Sequence, residues 1–160
     1  MKQLATGRLT GPLLGVVVAT LSLTGASGQT PTKVVYVASN GVDSALCGET
    51  RAPCRSIRQA IANANEGDLI MVGPGRYGDV NRNGVFGEPG EEGGAASCGC
   101  LIQVDKALRV VSRDGAATTV LDATGAPNMT VVRIVANDVV FGRLHRGFTL
   151  RGGINPWLFK

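Results

Sequence analysis

The densest group of potential metal ligands in the sequence runs Asp79-Val80-Asn81-Arg82-Asn83-Gly84-Val85-Phe86-Gly87-Glu88-Pro89-Gly90-Glu91-Glu92. Side-chain oxygens at positions 1, 3 and 5, Gly at position 6 and an apolar residue at position 8 are what a calcium loop of the EF-hand kind begins with. Short oxygen-bearing arms at alternate positions can meet on one ion, and glycine allows the sharp turn between them. The pattern departs at position 12, where Gly90 stands in place of Glu, so Glu88, Glu91 or Glu92 has to close the site. The expected ligand set is Asp79, Asn81, Asn83, Val85, Glu88 and Glu92. With Asp79 as the only early charge, the affinity expected is of the weak extracellular type. The competing reading is a solvated, Gly-rich loop inserted between strands.

The cysteines form a second group: Cys47, Cys54, Cys98 and Cys100. There is no C-x-x-C pair and the only histidine is His145, which disfavours zinc and leaves disulfides. Cys47 with Cys54 is the pairing expected, because closing that short loop beside Pro53 stabilises by about 2.5 kcal/mol through unfolded-state entropy. Cys98 with Cys100 closes a very tight ring, so these two are either a labile bridge or thiols with partners elsewhere.

Candidate catalytic groups are sparse. Asp105 and Asp138 are the types a glycoside hydrolase pairs, but both fall at turn positions, where Asp commonly bonds its own backbone. His145 lies between Leu144 and Arg146 in a basic turn with no evident partner. No catalytic residue is therefore expected in this chain. Asp122 and Arg151 occupy equivalent places in the repeat described below and could stack as an ion pair, a structural feature of small worth if exposed. Asn128-Met129-Thr130 is a sequon, relevant only in a eukaryotic secretory pathway.

The amino terminus predicts the compartment. Lys2 and Arg8 precede an apolar run from Leu13 to Leu23, and Ala26-Ser27-Gly28 follows, which gives the three regions of a secretory signal peptide over residues 1–28. The densely apolar part is about 11 residues, against roughly 20 for a spanning helix. Cleavage removes Lys2 and Arg8 and leaves 14 Lys and Arg against 12 Asp and Glu. That balance, with no basic cluster interleaved by aromatics, argues against nucleic acid as a partner. After cleavage no membrane attachment is expected, and the chain is placed in the secreted or cell-envelope space.

Composition and periodicity give the elements. Hydrophobic content of 44%, charge of 18% and 23 Gly among 160 residues describe a core-forming chain of short strands and turns. Lys33 to Ala38 predicts a strand. Ile57, Ala60, Ile61 and Ala64 share one helical face, with Ser56 and Gln59 as a capping box and Gly67 as the stop. From Asp68 onward apolar runs alternate with turn signals: Leu69 to Val72, Leu101 to Val104, Leu108 to Val111, Thr119 to Leu121, Val131 to Val135, Val139 to Phe141 and Phe148 to Leu150. Setting Leu108 on Val139 gives a step of 31 and Leu121 on Leu150 a step of 29. A recurrence of about 30 residues predicts a solenoid whose coils bury their inner faces only by stacking. An antiparallel sandwich explains neither that step nor the single helix ahead of the strands. The organisation expected is residues 29–67 for strand, cysteine loop and helix, 68–153 for coils with an inserted loop 78–100, and 154–160 for a tail.

The order of these motifs resembles a family. Val35-Tyr36-Val37 with Asn40-Gly41 and Asp43, Ala52-Pro53-Cys54-Arg55-Ser56-Ile57 into the helix, and Glu66-Gly67-Asp68 with Val72, Pro74-Gly75 and Tyr77 look like the opening of secreted right-handed parallel β-helix proteins of the pectate-lyase-like superfamily. Asp105 to Val110 and Gly147 to Gly153 resemble that family's coil strands. The resemblance implies an all-β fold, a right-handed parallel β-helix of two to three coils, with one amphipathic capping helix before the first coil. The family's catalytic groups lie on strands of middle coils, and no residue here matches the lyase pattern. The function expected is a secreted module, non-catalytic by itself, associated with polysaccharide or a cell-surface glycan. The alternatives are a truncated lyase or glycoside hydrolase whose active coils are missing, and a structural or adhesin-like spacer. An open last coil implies self-association, unless Trp157, Leu158 and Phe159 fold over it as a cap.

Overall fold

The computed structural model describes residues 33–93 and 98–153. The signal segment and the 154–160 tail, with its cap of Trp157, Leu158 and Phe159, lie outside the described residues. Among the described residues one short helix accompanies nine strands: β1 (Val34–Val37), α1 (Ile57–Asn63), β2 (Leu69–Val72), β3 (Gly75–Gly78), β4 (Cys100–Val104), β5 (Arg109–Ser112), β6 (Thr119–Ala123), β7 (Thr130–Ile134), β8 (Val140–Phe141) and β9 (Thr149–Gly152).

Every strand pairing is parallel. β1-β2-β5-β8 form one sheet, β3-β6-β9 a second and β4-β7 a third. The chain thus visits the three sheets in the order β2, β3, β4 and repeats that order with β5, β6, β7. The registers agree with the sequence periodicity: Arg109 pairs with Val140, 31 residues on, and Leu121 pairs with Leu150, 29 residues on. Alternate residues on the facing strands close the core, with Val35, Ile70, Val110, Ile102, Val104 and Leu121 at most 1% exposed.

The sequence periodicity passes over β3, and its first and last residues show why. Gly75-Arg76-Tyr77-Gly78 has little strand propensity. It pairs with β6 because Tyr77 buries its ring in the core, its hydroxyl donating to the Gly73 carbonyl at 2.9 Å. A Cβ at Gly78 would run into the Asp122 carbonyl of the neighbouring rung, so the close approach requires glycine there.

The helix is anchored differently from the sequence expectation. Ser56 is its N-cap and accepts from the Gln59 N–H at 3.1 Å, but the Gln59 side chain donates to Asn63 instead of returning to Ser56. The Ser56 N–H is taken by Asp43, which also accepts from the Arg55 N–H and the Ser56 hydroxyl. The helix stops at Asn63 with Ala64 as C-cap, ahead of Gly67. It carries no acidic residue in its first turn and no basic one in its last. Both charges arrive from distant loops. Glu92 accepts from the Ile57 and Arg58 N–H groups at 2.5 and 3.1 Å, and Lys106 Nζ donates to the Ile61, Ala62 and Ala64 carbonyls at 2.8–3.1 Å. A carboxylate at the N-terminus and an ammonium at the C-terminus satisfy orphan backbone groups and oppose the helix dipole. The helix is thereby clamped over β1, β2 and β4.

Candidate functional site

The loop between β3 and β4 leaves the core at Gly78 and folds back on itself around Asp79. Asp79 is 5% exposed, and its carboxylate accepts from the N–H groups of Arg82, Asn83 and Gly84 at 2.6–3.2 Å. Arg82 and Gly84 have left-handed φ values of 63° and 84°, which turn those N–H groups inward. The Asn81 side-chain oxygen accepts from Asn83 N–H and the Asn83 oxygen from Val85 N–H, both at 2.8 Å. The Asn81 and Asn83 amide nitrogens both donate to Glu88 Oε2, at 2.7 and 2.8 Å. Asp79, Asn81, Asn83 and Glu88 therefore gather in one turn, as their spacing predicts. Val85 joins the turn through its backbone N–H and leaves its side chain half exposed.

Glu92 does not join them. It is 1% exposed at the start of α1, where burial pushes its carboxyl up to about 7 against the two N–H groups that favour its charge. The residue turned toward the loop is its neighbour. Glu91 Oε1 accepts from the Val80 and Asn81 N–H groups at 2.8 and 3.1 Å. The two neighbouring glutamates thus serve different places, Glu92 the start of the helix and Glu91 the loop. Which one faces the loop depends on where the chain returns to the helix, a tertiary fact with no local signal.

Beside this turn lies a cavity of about 420 Å³, with Asp43, Arg55, Val80, Asn81, Gly90 and Glu91 in its wall. Arg55 Nη1 and Glu91 Oε2 are buried with no hydrogen-bond partner. Unsatisfied charged groups are costly in a protein interior, so a wall holding one of each sign marks the cavity as a place for polar or ionic contacts.

Asp43, Cys47 and Cys54 offer ligand atoms within 4.8 Å of one another. The two sulfurs are joined as a disulfide, and the carboxylate is held by Arg55 and Ser56, so this cluster is a structural brace for the helix entrance. Cys98 and Cys100 are bonded to each other, which closes the tight ring of the two alternatives.

The remaining candidates are dispersed. Asp105 and Asp138 are exposed in turns after β4 and before β8, Asp138 with φ 56°. His145 is exposed with φ 62°. Asp122 and Arg151 are register partners on adjacent rungs, yet the ion pair is made one rung earlier, from Arg76 Nε to Asp122 Oδ2 at 2.9 Å. Arg76 also donates to the Asp79 carbonyl and so ties β3 to the loop.

Among the described residues no helix is long and apolar enough to cross a membrane. No protein-family model, curated protein or solved structure matches this chain. Among the described residues the fold defines the class as a parallel β-sheet protein with one short helix and two disulfides.

Proposed function

We propose that the chain is a right-handed parallel β-helix module of the pectate-lyase-like kind, secreted and non-catalytic in itself, that associates with acidic polysaccharide at or outside the cell surface. The repeated visit to three parallel sheets supports the solenoid reading, and parallel crossovers are right-handed in nearly all proteins. Two disulfides support an oxidising compartment. The observation that carries the ligand class is Arg55, whose buried Nη1 has no acceptor and which stands in the wall of the 420 Å³ cavity beside Asp43 and Asn81. A guanidinium in want of an acceptor, among groups able to bind hydroxyls, suits the carboxylate of an acidic sugar.

The test is incubation with an immobilised uronate polymer. Retention of the protein with no new reducing or unsaturated ends is expected, and Arg55→Ala should lower retention about tenfold or more, the worth of one charge-assisted contact. Unsaturated ends would make the chain a lyase. Neither retention nor product would remove the polymer from this reading and leave the alternative of a structural spacer.

A further inference from the structure

We propose that the Cys98–Cys100 disulfide is a redox-active site that exchanges with external thiols, while Cys47–Cys54 is a fixed brace. The two bridges differ in what they hold. Cys47 and Cys54 are 4% and 0% exposed, and the Asn63 side-chain amide donates to both sulfurs, at 3.3 and 3.8 Å. That bridge staples the segment that leads from β1 into α1. Cys98–Cys100 spans Gly99 alone and joins no two elements of the fold. A loop this short constrains the unfolded chain least, and a ring closed over one residue is of the tight kind that is readily reduced.

Access and charge point the same way. Cys98 is half-buried and Cys100 only 2% exposed, so an arriving thiolate meets the Cys98 sulfur. Both cysteines stand in the wall of a cavity of about 330 Å³, together with Arg58, Lys106 and Asp105, two cations against one carboxylate. Lys106 Nζ is fixed by the carbonyls of Ile61, Ala62 and Ala64. Cationic surroundings favour thiolates and with them exchange. The external thiolate attacks Cys98 Sγ, the bond to Cys100 breaks, and Cys100 leaves as a thiolate. A second external thiolate attacks the outer sulfur of the mixed disulfide and releases the Cys98 thiolate. Two external thiols are thereby joined as a disulfide, the bridge gains their two electrons, and their two protons end on Cys98 and Cys100. The segment stays in place without the bridge, because Cys100 pairs with Thr130 on β7 and the Thr130 N–H donates to the Gly99 carbonyl at 2.9 Å. The dithiol is thus held ready for re-oxidation by an external disulfide through the reverse steps.

The experiment is equilibration of the folded full chain in glutathione buffers of graded ratio, followed by alkylation and peptide mass spectrometry. No polysaccharide is present, so the outcome is independent of the sugar-binding reading. The equilibrium constant toward the dithiol should be about a hundredfold or more greater for Cys98–Cys100 than for Cys47–Cys54. Opening of the first bridge should leave the protein folded, with Tm lowered by less than about 5 °C. In Cys100→Ser the remaining Cys98 should form a mixed disulfide with oxidised glutathione, at least about tenfold faster than Cys100 does in Cys98→Ser, where the sulfur is buried. Two bridges that open together, and only as the protein unfolds, would overturn the proposal. So would a Cys98–Cys100 bridge that survives a large excess of reduced glutathione, or capture that is faster at Cys100.

Discussion

Leu121 and Leu150 are register partners on neighbouring strands of the same sheet, the first 0% and the second 52% exposed. Val110 and Phe141 repeat the contrast one sheet over: Val110 is fully buried and Phe141 half buried. The strand sequences are of one kind at both ends of the stack. What differs is the neighbour. At the first end β1 and the clamped helix α1 cover β2, whereas β8 and β9 are the outermost members of their sheets. Ile134 on β7, Val140 on β8 and Leu150 on β9 remain 39–52% exposed on these outermost strands. In a stacked parallel fold burial is a property of the pair of rungs, so the same apolar residue is core in one layer and surface in the next.

The largest expected effect tests that contrast. Leu121→Ala should cost about 2–5 kcal/mol of unfolding free energy, since it opens a cavity in a closed layer. Leu150→Ala at the partner position should cost less than about 0.5 kcal/mol. Denaturant unfolding of both variants reads the difference. Equal costs would mean that the last rung is covered in solution, by a second copy or by further chain, and a concentration-dependent midpoint would identify the copy.

The helix end should also carry a pH dependence. Burial raises Glu92 from 4.5 to about 7, against the pull of the Ile57 and Arg58 N–H groups, while Asp43 raises it further and Arg58 lowers it. Tyr77, itself pushed up to about 12 by burial and by the Glu92 charge, faces the same group. A carboxyl whose folded value lies above its unfolded one binds more protons in the folded state. Its contribution to stability is then whole below 4.5 and is lost as pH rises through about 7. The slope is at most one proton, about 1.4 kcal/mol per pH unit. Glu92→Gln should flatten the profile between these values, as measured by unfolding at a series of pH values. A slope unchanged in this variant would move the titrating group elsewhere.

Most of the layered plan was legible in the sequence because apolar runs of strand length recur about every 30 residues, and a stacked fold translates that recurrence directly into register. β3 was not legible, since a strand bounded by two glycines owes its existence to Tyr77 and to the rung beside it. The turn at Asp79 was legible from the alternate spacing of Asp79, Asn81 and Asn83, which is a local property. The partition of Glu91 and Glu92 was not, because both follow the same Pro89-Gly90 and only the position of α1, more than thirty residues earlier, decides between them. Lys106 is a case of the same kind: nothing near it in sequence announces three helix carbonyls as its partners.

The smallest expected effect sharpens the contrast at the level of one charge. Equivalence in the repeat puts Asp122 beside Arg151, but Arg151 sits on the exposed rung, while Arg76 sits on the covered side and takes the carboxylate. Burial opposes the Asp122 charge, yet hydrogen bonds from Thr124 and Arg76 outweigh it and hold the carboxyl down to about 2. A depressed carboxyl contributes stability that is present above 3.8 and lost as pH falls toward about 2. Arg76→Ala should therefore cost about 1–2 kcal/mol near neutral pH and shift the acid limb of the stability profile upward, because the carboxylate keeps only Thr124. Arg151→Ala should change stability by less than about 0.5 kcal/mol and leave the acid limb where it is. If Arg151→Ala moves that limb as far as Arg76→Ala does, the last rung is as closed in solution as the one before it, and the asymmetry between the two ends disappears.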